Sequence, residues 1–177
     1  MHPTEILSQE HRAIEARLNE VDERIRAAEP GAPFAREFFE DALDFFRNFA
    51  DGCHHAKEEN LLFPLMKERG VPEEGGPIGC MLAEHEEGRS YLRAIRENLA
   101  AAAQGSPAAQ DEVYANAGAY IELLRRHIYK EDHILFRMAR MVLQPDDVAE
   151  LQKQFANVEV PERFHGLQAA TSRSSSI

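Results

Sequence analysis

The stretch His54-His55-Ala56-Lys57-Glu58-Glu59-Asn60-Leu61-Leu62-Phe63 decides the reading of this chain, because it is written again as His127-Ile128-Tyr129-Lys130-Glu131-Asp132-His133-Ile134-Leu135-Phe136. Both copies spell H-x-x-K-E-[ED]-x-x-L-F, at an offset of 73 (127 − 54). On an α-helix four residues advance the chain by about 400°, so His54 and Glu58, like His127 and Glu131, share a stripe and lie roughly 6 Å apart. Imidazole and carboxylate at that spacing suit neighbouring positions of one metal site. Charged helices produce the spacing by chance, but they do not readily repeat it. Nor do they readily supply two more histidines at nearly the same step, His11 in Leu7-Ser8-Gln9-Glu10-His11 and His85 in Met81-Leu82-Ala83-Glu84-His85. The chain reads as one helical hairpin written twice.

Working outward, the apolar stripes supply the helices. The first has Thr4 as N-cap, carries Leu7, Ile14, Leu18, Val21 and Ile25 beside His11, and stops at Glu29-Pro30-Gly31. The second starts near Pro33, brings Phe38, Phe39, Leu43, Phe46, Phe49 and Ala50 to His54, and is closed by Pro64 and then Gly70-Val71-Pro72. The third runs from about Pro77 to Ala103, and a shift of 74 (85 − 11) maps Leu7, Leu18, Val21 and Ile25 onto Met81, Leu92, Ile95 and Leu99. The fourth runs from about Ala108 to Leu143, apolar on its stripe except at His127 and Glu131. A short fifth helix spans Pro145 to Asn157. This pattern predicts an all-α fold, an antiparallel up-down four-helix bundle built from a duplicated hairpin with a short C-terminal fifth helix. Residues 1–157 form the domain, and 158–177, with its Ser-rich end, is expected to be a disordered tail.

Composition sets the surroundings. At 177 residues and 44% hydrophobic content, one domain with an ample core is expected. No apolar run approaches 18 residues and the N-terminus lacks a signal-like apolar segment, so the expected location is the cytoplasm. Cys53 and Cys80 form no CxxC pair, which excludes a thiolate zinc site of that kind. A net charge of -11 without a basic cluster argues against nucleic acid and anionic membranes as partners.

The constellation is then His11, His54, Glu58, His85, His127 and Glu131, all on core-facing stripes. A carboxylate buried without compensation costs several kcal/mol, which a dication offsets. His55 with Glu59 offers a rival register, but Asp51 stands one turn behind His55 whereas Ala50 stands behind His54, and the repeat aligns His54 with His127. His133 reads as solvated, and Glu15 is set aside because Arg89 takes the matching place after His85. Imidazole and carboxylate without thiolate suit iron, manganese or zinc, and two carboxylates in a bundle core are the di-iron or di-manganese pattern. If both glutamates bridge and an oxide or hydroxide completes the core, each of two iron ions has five ligands and one open position.

The spacing of His11, His54-x-x-x-Glu58, His85 and His127-x-x-x-Glu131, with Leu62-Phe63-Pro64 after the first pair, resembles the hemerythrin-like HHE cation-binding family over about residues 4–143. The resemblance implies a non-haem di-iron site that binds and reduces NO, peroxide or O2. The alternative it implies is a non-catalytic protein that binds, stores or senses iron or oxygen. Oxygen-carrying hemerythrins have a further histidine where this chain has Arg89, and an Asp at i+5 that Asp132 partly imitates. The chain is more similar to the four-histidine, two-glutamate members, among them proteins that repair iron-sulfur clusters under nitrosative stress. The expected partner is a small diatomic or peroxide ligand, and the sequence names no electron donor.

Overall fold

The computed structural model describes residues 1–29 and 31–167. These residues are all-helical, consistent with a hemerythrin-like helical bundle. Helix α1 is Pro3–Arg26; α2 runs continuously over 36–68; α3 is Pro77–Ala103; α4 runs over 107–142; and α5 is Pro145–Ala156. Among the described residues no helix is long and apolar enough to cross a membrane.

Helix α1 is capped by His2 rather than Thr4: the His2 side chain accepts from the Thr4 amide while the Glu5 carboxylate accepts from the His2 amide. Pro3 at the first helical position has no amide to leave orphaned, so the helix starts there. Gly105 turns α3 into α4 with φ 90, a region that favours glycine. Gly88 serves packing, since a Cβ there would lie 3.3 Å from the Tyr120 ring on α4.

Helices α2 and α4 depart from α-geometry at the repeated motif. The hydrogen bonds widen to i→i−5 over Phe46–His55 and Glu58–Leu62 in α2, and over Glu131–Leu135 in α4. Each such turn holds about one residue more than an α-turn. Pro64, expected to end α2, instead sits within it, because the widened turn before it relieves the clash of its ring with the preceding carbonyls. The second copy widens equally with Arg137 in the matching place, so the proline is accommodated by the turn and does not cause it.

The core has two parts. One joins Ile14, Leu18 and Val21 of α1, the Phe39–Ala50 part of α2, the Leu92–Ala102 part of α3 and the Ala109–Ile128 part of α4. The other joins Leu7, Leu62, Phe63, Met66, Ile78, Met81, Leu135 and Phe136 with Leu151 and Phe155 of α5. Each fully buried Leu or Phe contributes about 1.5–3 kcal/mol. On every long helix the expected ligands fall between these clusters, in one polar layer. The tail expected from residue 158 is ordered at its start: a short turn, Glu162–Phe164, inserts Phe164 against Phe45 and Phe49. Its remainder, 168–177, lies outside the described residues.

Candidate metal centre

All six expected ligands are buried, each at most 2% exposed, and their side chains meet. Glu131 stands between His11 Nε2 at 3.1 Å and His127 Nε2 at 3.2 Å. Glu58 stands between His54 Nε2 at 3.6 Å and His85 Nε2 at 3.5 Å. Each glutamate thus faces one histidine from each hairpin, the placement a shared carboxylate requires. The donor atoms of His11, His54, Glu58 and Glu131 lie within 4.8 Å of one another, and so do those of His55, Glu58, His85 and His127.

An outer ring of carboxylates holds the imidazoles. Nδ1 of His11 donates to Asp132 at 2.9 Å, that of His54 to Glu10 at 3.1 Å, that of His85 to Glu59 at 2.6 Å and that of His127 to Glu84 at 2.9 Å. His55 Nδ1 donates to Asp51 at 3.2 Å. Each acid is paired with a cation: Arg12 with Asp132, Lys57 with Glu10, Lys130 with Glu84, and Arg89 with both Glu59 and Asp51. Burial pushes these five acids upward, yet hydrogen bonds from histidine and cation outweigh it; all fall below the usual range, Glu84 and Asp51 to about 2.

Ionised acids only accept, so each Nδ1 carries a proton and each Nε2 points at the centre. Burial disfavours a second proton on His11 and His127, but Glu131 and the acids on their Nδ1 atoms outweigh it, raising His11 and holding His127 at about 9, so without a metal these two imidazoles are cationic and a bound metal ion would displace their inner protons. His85 Nε2 and His127 Nε2 lie 3.0 Å apart, where the protonated His127 donates to His85 and where one metal ion could instead take both nitrogens. Both oxygens of Glu58, Oε1 of Glu131 and Nε2 of His55 are buried without a hydrogen-bond partner. Burial first, and then the neighbouring Glu131 carboxylate, push Glu58 well above its usual value. A divalent cation would satisfy these atoms together, and imidazole with carboxylate is a donor set that iron accepts.

The repeat now has a physical reading at each matched position. The His and Glu point inward. In the first copy Lys57 holds Glu10, which precedes His11, while Glu59 holds His85; in the second Lys130 holds Glu84, which precedes His85, while Asp132 holds His11. The closing Phe stacks on that same imidazole, Phe63 on His85 at 6.1 Å and Phe136 on His11 at 5.5 Å. Glu59 and Asp132, weighed from sequence as rival ligands, are these outer acceptors.

His55 is the residue that the 3.6-residue reading set aside. In the widened turns of α2 adjacent residues subtend a smaller angle, so His54 and His55 both face inward. Its ring stacks on His85 at 3.9 Å. The repeat pointed away from it, because the second copy has Ile128 there. Glu10 and Glu84 did carry a signal: each precedes its histidine at the same step. His133 is exposed, and Glu15 pairs with Arg12, away from the centre.

The iron-sulfur cluster repair protein YtfE of Dickeya chrysanthemi is 28% identical over 125 residues, covering 70% of this chain and 55% of that protein. YtfE of Musicola paradisiaca is 32% identical over 89 residues, 49% of this chain and 40% of that protein. An uncharacterised protein of Mycobacterium tuberculosis is 24% identical over 156 residues, 88% of this chain and 60% of its own length. The chain therefore spans about half the length of these relatives. The model of the hemerythrin HHE cation-binding domain matches residues 2–139, and the chain belongs to that family.

Proposed function

We propose that the chain holds two iron ions and uses them to bind and reduce a small oxidant, NO, peroxide or O2. His11 and His54 would hold one ion, His55, His85 and His127 the other, and Glu58 and Glu131 would be shared. The observation that carries the reading is the convergence of five imidazoles, each fixed by a carboxylate on its Nδ1, around two buried glutamates with three oxygens left without a partner. Manganese and zinc are the alternatives this donor set admits. In the ferrous form the pair supplies two electrons to the oxidant.

The chain's own groups set the conditions for that chemistry. The four long helices, in antiparallel up-down order with α5 alongside, hold the layer rigid. The clusters on either side keep bulk water out, so charges within the layer are weakly screened. With two imidazoles on the His11 side against three on the other, a metal held by His11 and His54 would have fewer protein ligands, and a small ligand is expected on that side. The similarity to YtfE supports a redox role, and the expected setting is the cytoplasm, with no nucleic acid or membrane partner.

One observation favours a second reading, non-catalytic binding or sensing of oxygen or iron. His55 supplies the third imidazole that closes one position, as a reversible carrier requires. Stopped-flow mixing of the reduced protein with O2, NO and peroxide separates the two. Oxidation by NO or peroxide without a long-lived oxygenated form supports reduction; an oxygenated spectrum that reverses under argon, with no reaction toward NO or peroxide, replaces it with the carrier.

A further inference from the structure

The geometry points to a binding site for a small oxyanion in the cavity of about 190 Å³ between α2 and α3, lined by Arg47, Asp51, Arg89, Leu92, Arg93 and Arg96. Four guanidiniums face it and one carboxylate. That carboxylate pairs with one of the four: Asp51 accepts from Arg89 Nε at 2.9 Å as well as from His55 Nδ1 at 3.2 Å, which leaves the other three guanidiniums to the cavity. Arg89 also donates to Glu86 at 2.6 Å and Glu59 at 2.7 Å. Arg47, Arg93 and Arg96 form no ion pair among the described residues. Acids are plentiful in this chain, 31 against 20 Lys and Arg, so scarcity does not explain the lack of partners. On α3 the arginines at 89, 93 and 96 stand at i, i+4 and i+7, where like charges repel one another. A cavity with so large an excess of one sign of charge concentrates counter-ions.

The ligand class follows from shape and size. Planar guanidinium forks match carboxylate, phosphate and other oxyanions with paired hydrogen bonds. The volume falls below the roughly 300–1,000 Å³ of pockets for drug-sized molecules, which selects an inorganic oxyanion or a small carboxylate.

The cavity wall reaches the metal centre through two hydrogen-bonded paths. Arg89 and Asp51 lead to His55, and Arg89 and Glu59 lead to His85. An anion that draws hydrogen bonds from Arg89 competes with both acids that hold these imidazoles. Binding in the cavity and metal in the centre are therefore linked, and the linkage acts equally in both directions.

Calorimetric titration of the full chain with inorganic phosphate at low ionic strength, metal-free and iron-loaded, tests this. Saturable one-site binding is expected, weakened at least about tenfold in R93Q/R96Q and retained in R125Q/R126Q, which removes the same charge on another face. Affinity should differ at least about fivefold between the metal-free and loaded forms. Non-saturable heats, or equal weakening in both double variants, would overturn the site in favour of general charge screening. Equal affinities in the two forms would overturn the linkage. Binding by the metal-free chain does not depend on the di-iron reading, so the two can fail separately.

Discussion

Replacing Lys57 by Met should destabilise the metal-free protein far more than replacing Lys130 by Met, although the two lysines occupy the same place in the repeat. Both hold an acid that orients a histidine, Glu10 for His54 and Glu84 for His127. Only one pair is sealed. The side chains of Lys57 and Glu10 are 1% and 3% exposed, whereas those of Lys130 and Glu84 are 32% and 18%. The difference comes from α5, whose Phe155 ring lies 5.8 Å from Lys57 Nζ. Removing one partner of a sealed pair leaves a buried charge uncompensated, at about 3–5 kcal/mol, and an exposed pair is worth about 0–1 kcal/mol. In urea, with a chelator present so that metal does not contribute, K57M should lower the midpoint by about 2 M and K130M by less than about 0.5 M. The double variant K57M/E10Q should recover most of the loss, because no unpaired charge remains. Equal shifts in the two single variants, or a K57M shift below about 0.5 M, would refute the claim that α5 seals one half of the site.

At the site itself, Glu58→Ala should abolish metal binding at both positions, while Glu59→Ala should weaken it only about 10–100-fold by freeing His85, as metal titration will measure. Full binding in Glu58→Ala would mean that the inward face was misassigned. Burial pushes Asp51 up but its hydrogen bonds to His55 and Arg89 hold it at about 2, so its contribution is present above the ordinary value of about 4 and is lost as pH falls through about 2. Urea midpoints between those values should accordingly depend less on pH in Asp51→Asn, which at neutral pH gives up about 1 kcal/mol after allowance for solvent screening. Phe155→Ala should lower stability by about 3–5 kcal/mol and reduce the penalty of K57M, since it admits water to Lys57.

How far the sequence could be read depends on which residues are paired in the repeat. The histidines and glutamates of the two motifs, and His11 and His85 through their step, were legible because the same chemistry had to be written twice. The helices followed from their stripes, with Pro77 and Gly105 marking ends in the expected places. His55 was not legible, because the widened turn that brings it inward has no compositional mark and its counterpart is Ile128. Pro64 misled for the same reason: it breaks an α-helix, but not one already widened before it. The outer acids repeat as well, but which imidazole each one holds could be found only in three dimensions, since Glu10 reaches His54 and Asp132 reaches His11 across 44 and 121 residues of sequence. Phe164 gave no pattern long enough to reveal that it packs into the core.

The paired-iron centre is tested most directly by metal analysis of protein purified from its own host, combined with Mössbauer spectroscopy of the iron-57 form. About two irons per chain are expected and, because His55 would give one ion three imidazoles against two on the other, two quadrupole doublets of equal area that become more alike in His55→Ala. A folded protein that carries zinc alone, or that holds one iron or none after iron supplementation, would contradict it.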